Sequence, residues 1–190
     1  MLHLLVILSA LTNLMGALFY VRSMRKGHAK PNRVTWVLWT LIPLIAFSAS
    51  LLEGATWSTV SIFMSALTPL IVLIASFFIK GTYWKISSLD LACGALSLFA
   101  VILWMITQDG FYAVLLAIIA DTLAGLPTFI KIWKHPESES DATFWGALVS
   151  SSLGLAVVEQ WRFVEYGFPL YLVILCLGSI LTLRLRSRKI

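Results

Sequence analysis

Seven apolar runs follow one another along this chain with short polar connections between them, and that alternation restricts the fold more than any single motif does. They extend from Leu2 to Val21, Val34 to Leu52, Val60 to Ile79, Leu89 to Thr107, Phe111 to Ile132, Ala142 to Val158 and Phe168 to Leu183. Most are close to the ~20 residues an α-helix needs to cross a hydrocarbon core ~30 Å thick. With 59% of 190 residues hydrophobic and 12% charged, the chain is far too apolar for a soluble domain. The expected fold class is an all-α membrane protein with seven transmembrane helices, and the expected surroundings are a lipid bilayer. The first run has a basic cluster behind it and no Lys or Arg ahead of it, the reverse of a secretory signal, so it is read as a mature span. The connections leave no room for a separate soluble domain.

Charge sets the expected orientation. A pI near 9.4 would suggest nucleic acid in a soluble protein, but here the basic residues lie between apolar runs, and no nucleic-acid partner is expected. Arg22, Arg25, Lys26, Lys30, Arg33, Lys80, Lys85, Lys131, Lys134, Arg184, Arg186, Arg188 and Lys189 fall on one side of a seven-span arrangement, and Arg162 alone on the other. The positive-inside rule then puts the N-terminus outside and the C-terminus in the cytoplasm. The compact build suggests a bacterial inner membrane. Nothing in the sequence speaks to oligomeric state.

The segment Ala120 to Trp145 looks like a second copy of Leu11 to Trp36 at a gapless offset of 109 residues: Gly16 meets Gly125, Arg22 meets Lys131, Arg25 meets Lys134 and Trp36 meets Trp145. Asn32 and Asp141 also correspond, each placed to cap the apolar run that follows. Runs one to three therefore map onto five to seven. With one run between them both triplets cross in the same direction, giving two parallel three-helix repeats (residues 1–80 and 111–190) joined by a linker helix (81–110). Parallel repeats of this kind place a substrate site at their interface near the midplane, and rocking of one against the other gives alternating access.

This three-plus-one-plus-three plan, the orientation, and the segment LPTFIKIWKHPESES with its helix-breaking proline resemble the PQ-loop and SWEET/MtN3 transporter superfamily. The architecture covers the whole chain and the motif only a short part of it. Where that superfamily has Pro-Gln, this chain has Pro127-Thr128, and Leu18-Phe19 in the first copy, so the resemblance names no subfamily. It implies a transporter of small solutes; a vitamin-transporter family with a similar helix plan leaves the solute open.

Asp121 is the one acid deep inside an apolar run, about ten residues from either end. An ionised carboxylate there costs at least ~2.5–3.5 kcal/mol on insertion scales. It is expected to carry a proton, to bind a polar substrate, or to act as a strut to Asn13 or Thr12 of the first copy. Asn13, Gly16 and Tyr20 share one face of the first run, and Asp121, Gly125 and Thr128 one face of the fifth, so the glycines are expected to let the first helices of the two repeats meet. Asn13 serves equally as strut or ligand. Pro127 removes the amide that would bond the Leu123 carbonyl; it and Pro43, with Pro69, are candidate kinks and hinges.

In the third run Trp57, Ser61, Ser65 and Thr68 recur at helical spacing and form a polar stripe. Their counterparts at the 109 offset include Leu170, Ile174 and Leu177, whereas SWEET-type sugar sites draw matching polar residues from the third and seventh spans. The polar lining is thus expected from the first half together with Asp121 and Ser150 to Ser152, centred on Ser151; serines bonding their own helix are the alternative. Trp57, Trp84, Trp133 and Trp161 fit interfacial belts. Trp36 and Trp145 are expected either to pair as a gate or to belong to the inner belt, while Trp39, one turn deeper, and Trp104 on the fourth run are not accounted for by the belts. Glu53, Asp90, Asp109, Glu159 and Glu165 sit at run ends and are expected to be solvated. Cys93 and Cys176 read as packing residues. His3, His28 and His135 are too scattered for a metal site, no cofactor motif appears, and a lone Asp without a paired acid or nucleophile argues against an enzyme. The expected function is alternating-access transport of a small polar solute, coupled to protons through Asp121. The alternative is a non-transporting receptor or scaffold that uses the basic loop and tail.

Overall fold

The computed structural model describes residues 2–81, 84–107 and 109–187. The Trp104 side chain, Arg188 and Lys189 lie outside the described residues. Seven α-helices account for most of the described residues: α1 (Leu2–Arg25), α2 (Arg33–Leu52), α3 (Thr59–Phe78), α4 (Ser88–Thr107), α5 (Gly110–Lys134), α6 (Ala142–Ala156) and α7 (Phe163–Ser187), with a 3₁₀ turn at Pro136–Ser138. No strand occurs among the described residues. Each helix grows from one apolar run, and its ends follow local chemistry. The Asn32 side chain accepts from the amides of Val34 (3.1 Å) and Thr35 to start α2, and Asp109 does the same for Phe111 and Tyr112 at α5. Gly27 and Gly54 take positive φ just beyond α1 and α2, where a side chain would be strained.

Asp141 does not cap α6 as its alignment with Asn32 suggests. Its backbone is already helical, and its carboxylate instead accepts from the Trp145 indole at 3.2 Å.

Five helices, α1, α2, α3, α5 and α7, are each long and apolar enough to cross a membrane, and the chain is an integral membrane protein by that criterion. The sixth is shorter than its apolar run: Val157 and Val158 leave the helix, so α6 has 15 residues. At 1.5 Å per residue it reaches about 22 Å, short of a ~30 Å core.

The packing is nested. Helix α3 lies between α1 and α2 and touches both, and α7 lies in the same way between α5 and α6. Across these groups α1 runs along α6 and α2 along α5, while α4 rests on α5 and α2. Among the described residues α1 and α5 do not meet, so the expected contact between them through Gly16 and Gly125 is not formed. Each glycine faces a second helix instead. A Cβ on Gly16 would stand 2.8 Å from the Ala142 carbonyl oxygen and 2.9 Å from the Gly146 Cα, and one on Gly125 would stand 3.0 Å from the Trp39 ring. The missing side chain is what allows the α1 and α6 backbones to touch.

Large apolar side chains such as Leu4, Ile7, Leu11 and Met15 of α1 cover the outside, while polar groups gather inside and join helices. The Ser9 hydroxyl bonds Ser150, Ser97 donates to the Ala120 carbonyl at 2.8 Å, and Thr35 donates to the Ala124 carbonyl at 2.7 Å. With no water in a bilayer core to compete, such bonds hold helices that the hydrophobic effect cannot drive together.

Candidate functional site

Five helices surround a cavity at the centre of the bundle. Its walls are Trp36, Trp39 and Pro43 from α2; Ser65, Thr68 and Pro69 from α3; Asp121 from α5; Thr143, Phe144 and Ala147 from α6; and Leu172, Leu175 and Cys176 from α7. About 50 Å³ is open to the centre of a water-sized sphere, room for a few waters. Seven residues singled out in the sequence for the site or its hinges, Trp36, Trp39, Pro43, Ser65, Thr68, Pro69 and Asp121, are thereby brought to one place.

Asp121 is buried, and its partner is neither Asn13 nor Thr12. Tyr171 of α7 donates to its Oδ2 at 3.0 Å, and Thr122 and Tyr171 share a further hydroxyl contact of 3.1 Å. The expected strut to the first helix is therefore replaced by one to the seventh, because α1 and α5 are held apart. Thr12 bonds its own helix, to the carbonyls of Leu8 and Ser9. No described residue donates to Asp121 Oδ1, and no Lys, Arg or His side chain among the described residues pairs with the carboxylate. The Trp39 indole reaches the Asp121 carbonyl at 3.4 Å.

Asn13 and Ser151 stand behind the lining. Asn13 Oδ1 accepts from Thr68 at 3.0 Å, while its Nδ2 and the Ser151 hydroxyl, both buried, have no partner among the described residues. Ser151 is one turn beyond Ala147. The stripe divides: Trp57, just before α3, is exposed and stacks on His3 with ring centres 4.5 Å apart, whereas Ser61, Ser65 and Thr68 are buried, Ser61 donating to the Ser58 carbonyl at 3.0 Å, Ser65 to that of Ser61 at 2.9 Å and Thr68 to that of Met64 at 2.8 Å. Both readings of these hydroxyls hold together, since Ser65 and Thr68 keep acceptor lone pairs toward the cavity.

Leu170, Ile174 and Leu177 are exposed on the outer face of α7 and do not oppose the stripe. The lining residues of α3 and α7 share one internal spacing, but at 172 against 65, 175 against 68 and 176 against 69, a separation of 107. The gapless 109 register thus slips by two residues before the last helix. At the corrected positions α7 is still apolar, and Cys176, packed in the core as expected, also lines the cavity.

The tryptophan pair also separates. Trp36 is buried on the lining, with ring centres 4.9 Å from Tyr20 and 5.6 Å from Trp39, and Trp39 is 6.2 Å from Phe144. Trp145 is exposed on the outside of α6 beneath Arg184, so it forms no gate with Trp36; Phe144, one residue earlier, takes the inward place. Pro127 is buried against α2 and off the lining. Beside it Thr35 holds the Ala124 carbonyl and contacts the Thr128 hydroxyl at 3.2 Å, so this turn is clamped to α2.

A buried ionic cluster at the basic end was not visible in the sequence. Lys131 Nζ lies 2.5 Å from Glu139 Oε2 with both side chains 1% exposed, and it also donates to the Lys30 carbonyl. Tyr20 donates to Glu139 Oε1, and the Trp84 ring lies over the ammonium at 5.2 Å. Two of the acids expected in water are buried as well. Asp90 accepts from Asn32 Nδ2 and from Ser87, and Glu165 sits 3.5 Å from Arg162. Glu53, Asp109 and Glu159 are exposed, as expected. No protein-family model matches the chain, and neither does any curated protein or solved structure compared with it.

Proposed function

We propose that this protein is a transporter of small polar solutes that works by alternating access, with two parallel three-helix repeats, residues 1–80 and 111–190, joined by the linker helix α4. The observation that carries the reading is the central cavity, walled by α2 and α3 of one repeat and α5, α6 and α7 of the other, with a buried carboxylate on it. A site shared by two halves changes its exposure when they move relative to each other. The repeat is supported by the nested packing of α3 and α7 and by helix limits that recur at the 109 offset, Arg25 with Lys134 and Arg33 with Ala142.

In this reading the N-terminus faces outward and the C-terminus faces the cytoplasm of a bacterial inner membrane. Asp121 binds the solute or exchanges a proton against it; Ser65, Thr68 and Trp39 complete the site, with Asn13 and Ser151 supporting it from behind. Pro43 gives the hinge nearest the cavity, while Gly16 and Gly125 set the seams along which the halves slide. The Lys131–Glu139–Tyr20 cluster ties α1, α5 and the loop before α6 together at the basic end and holds that end shut.

The test is counterflow of radiolabelled solutes, spanning sugars, amino acids, nucleosides, vitamins and organic amines, into liposomes containing the purified protein. Uptake of one class by the wild type, stimulated by a proton gradient and uncoupled from it in Asp121→Asn, is the expected result. Uptake indifferent to the gradient refutes the proton coupling. No uptake of any class refutes transport and favours a receptor or scaffold.

A further inference from the structure

The chemistry of the cavity wall is one-sided. Asp121 is the only charged residue among the described residues that line it, and its Oδ1 has no described donor. The hydroxyl protons of Ser65 and Thr68 are directed to carbonyls or to Asn13 Oδ1, so these groups turn lone pairs toward the cavity. Pro43 and Pro69 lack the amide hydrogens that would bond the carbonyls of Trp39 and Ser65 four residues earlier, which adds acceptors on the same two helices. Three aromatic rings, Trp36, Trp39 and Phe144, stand in edge-to-face sequence along one side. The wall is therefore rich in acceptors and π-faces and carries no Lys, Arg or His.

We infer that the cavity binds a small organic cation, an ammonium or guanidinium head whose charge faces Asp121 and whose N–H or C–H edges meet the rings of Trp36, Trp39 and Phe144. The inference rests on the transport reading for the purpose of the site and goes beyond it in naming the class. An anion would meet the Asp121 carboxylate with no counter-charge. A neutral polyol could donate its hydroxyls to these acceptors, but for its own oxygens it would find few donors, the Trp36 indole, whose Nε1 has no partner among the described residues, and the Thr143 hydroxyl, and it would leave the carboxylate's charge uncompensated. A cation satisfies the acceptors, offsets the cost of a buried carboxylate and gains the attraction of aromatic faces, which is largest for tryptophan and greater when water is excluded. The small volume suits a compact head, with any tail accommodated as the cavity opens.

The experiment is ligand binding to the purified wild-type protein by calorimetry, using choline and agmatine, the neutral choline isostere 3,3-dimethylbutan-1-ol, glucose and acetate, each also offered for uptake into liposomes. The expected result is that at least one cation binds tenfold or more tighter than any neutral or anionic probe, choline exceeding its isostere, with that preference lost in Asp121→Asn. The comparison of each cation with the neutral and anionic probes needs only wild-type protein, so it decides the matter even where the variant does not fold. Binding or uptake of glucose or acetate at least as tight as that of the cations overturns the inference and leaves transport standing. No binding and no uptake of any probe overturns both.

Discussion

Replacing Glu139 by Gln puts the buried ion pair at the basic end to a quantitative test. The substitution keeps the shape and removes the charge, leaving the Lys131 ammonium, 1% exposed, with the Lys30 carbonyl and the Trp84 ring as its remaining partners. Removing one member of a buried pair costs about 3–5 kcal/mol because the other charge stays uncompensated. The retained carbonyl bond places the loss near the lower end, about 3 kcal/mol. For a chain of this length each kcal/mol corresponds to about 2–4 °C, so the apparent Tm should fall by about 6–12 °C. Lys131→Met should cost a similar amount, since it strands Glu139 with Tyr20 and the Ser140 amide. The Lys131→Met, Glu139→Leu double variant buries no unpaired charge and should recover most of the loss, to within about 1 kcal/mol of wild type. Thermal unfolding of the four proteins in one detergent, followed by intrinsic fluorescence, completes the cycle. Single variants that melt within a degree of wild type, or a double variant as unstable as the sum of the singles, would refute the claim that these charges depend on each other.

Gly16→Ala should destabilise by about 1–3 kcal/mol, because its methyl meets backbone of α6 that cannot move aside, whereas Gly178→Ala, with open space around it, should stabilise α7 by about 0.5–1 kcal/mol; paired melting curves read both. Asn32→Ala removes the α2 cap and a donor to buried Asp90, and a loss of about 2 kcal/mol is expected in the same assay. A small cationic thiosulfonate should modify Cys176 of the cavity in preference to Cys93, with choline slowing the reaction, as mass spectrometry of the labelled protein would record.

The helices were legible because hydropathy and caps are local: the run beginning at Val34 becomes α2, and Asn32 starts it. Asp121 was legible as a misfit, a charge among apolar neighbours. What escaped depends on partners distant in sequence. Lys131 looks like one more basic residue at a helix end, and only the fold of the following loop brings Glu139 back upon it. Trp36 and Trp145 align in sequence, yet in α6 the inward place falls to Phe144, and one residue is enough to turn a side chain from the lining to the outside, since each residue rotates a helix face by about 100°. A gapless alignment near one helix says little about facing two helices later.

The point at which α1 and α6 touch through Gly16 and Gly146 has a mechanical meaning. Each outer helix is lodged against the opposite group of three, so the two groups are interleaved and do not face each other across a simple cleft. α1 and α6 pack along much of their length, with Ser9 bonded to Ser150 and the backbones closest at the glycines, so tilting about that crossing costs less packing than drawing the two helices apart. Opening the centre by separation is thereby disfavoured, and tilting about a fixed crossing remains. In the rocking proposed above, the glycine pair would be the fulcrum: side chains far from it would travel furthest, while those beside it would hardly move.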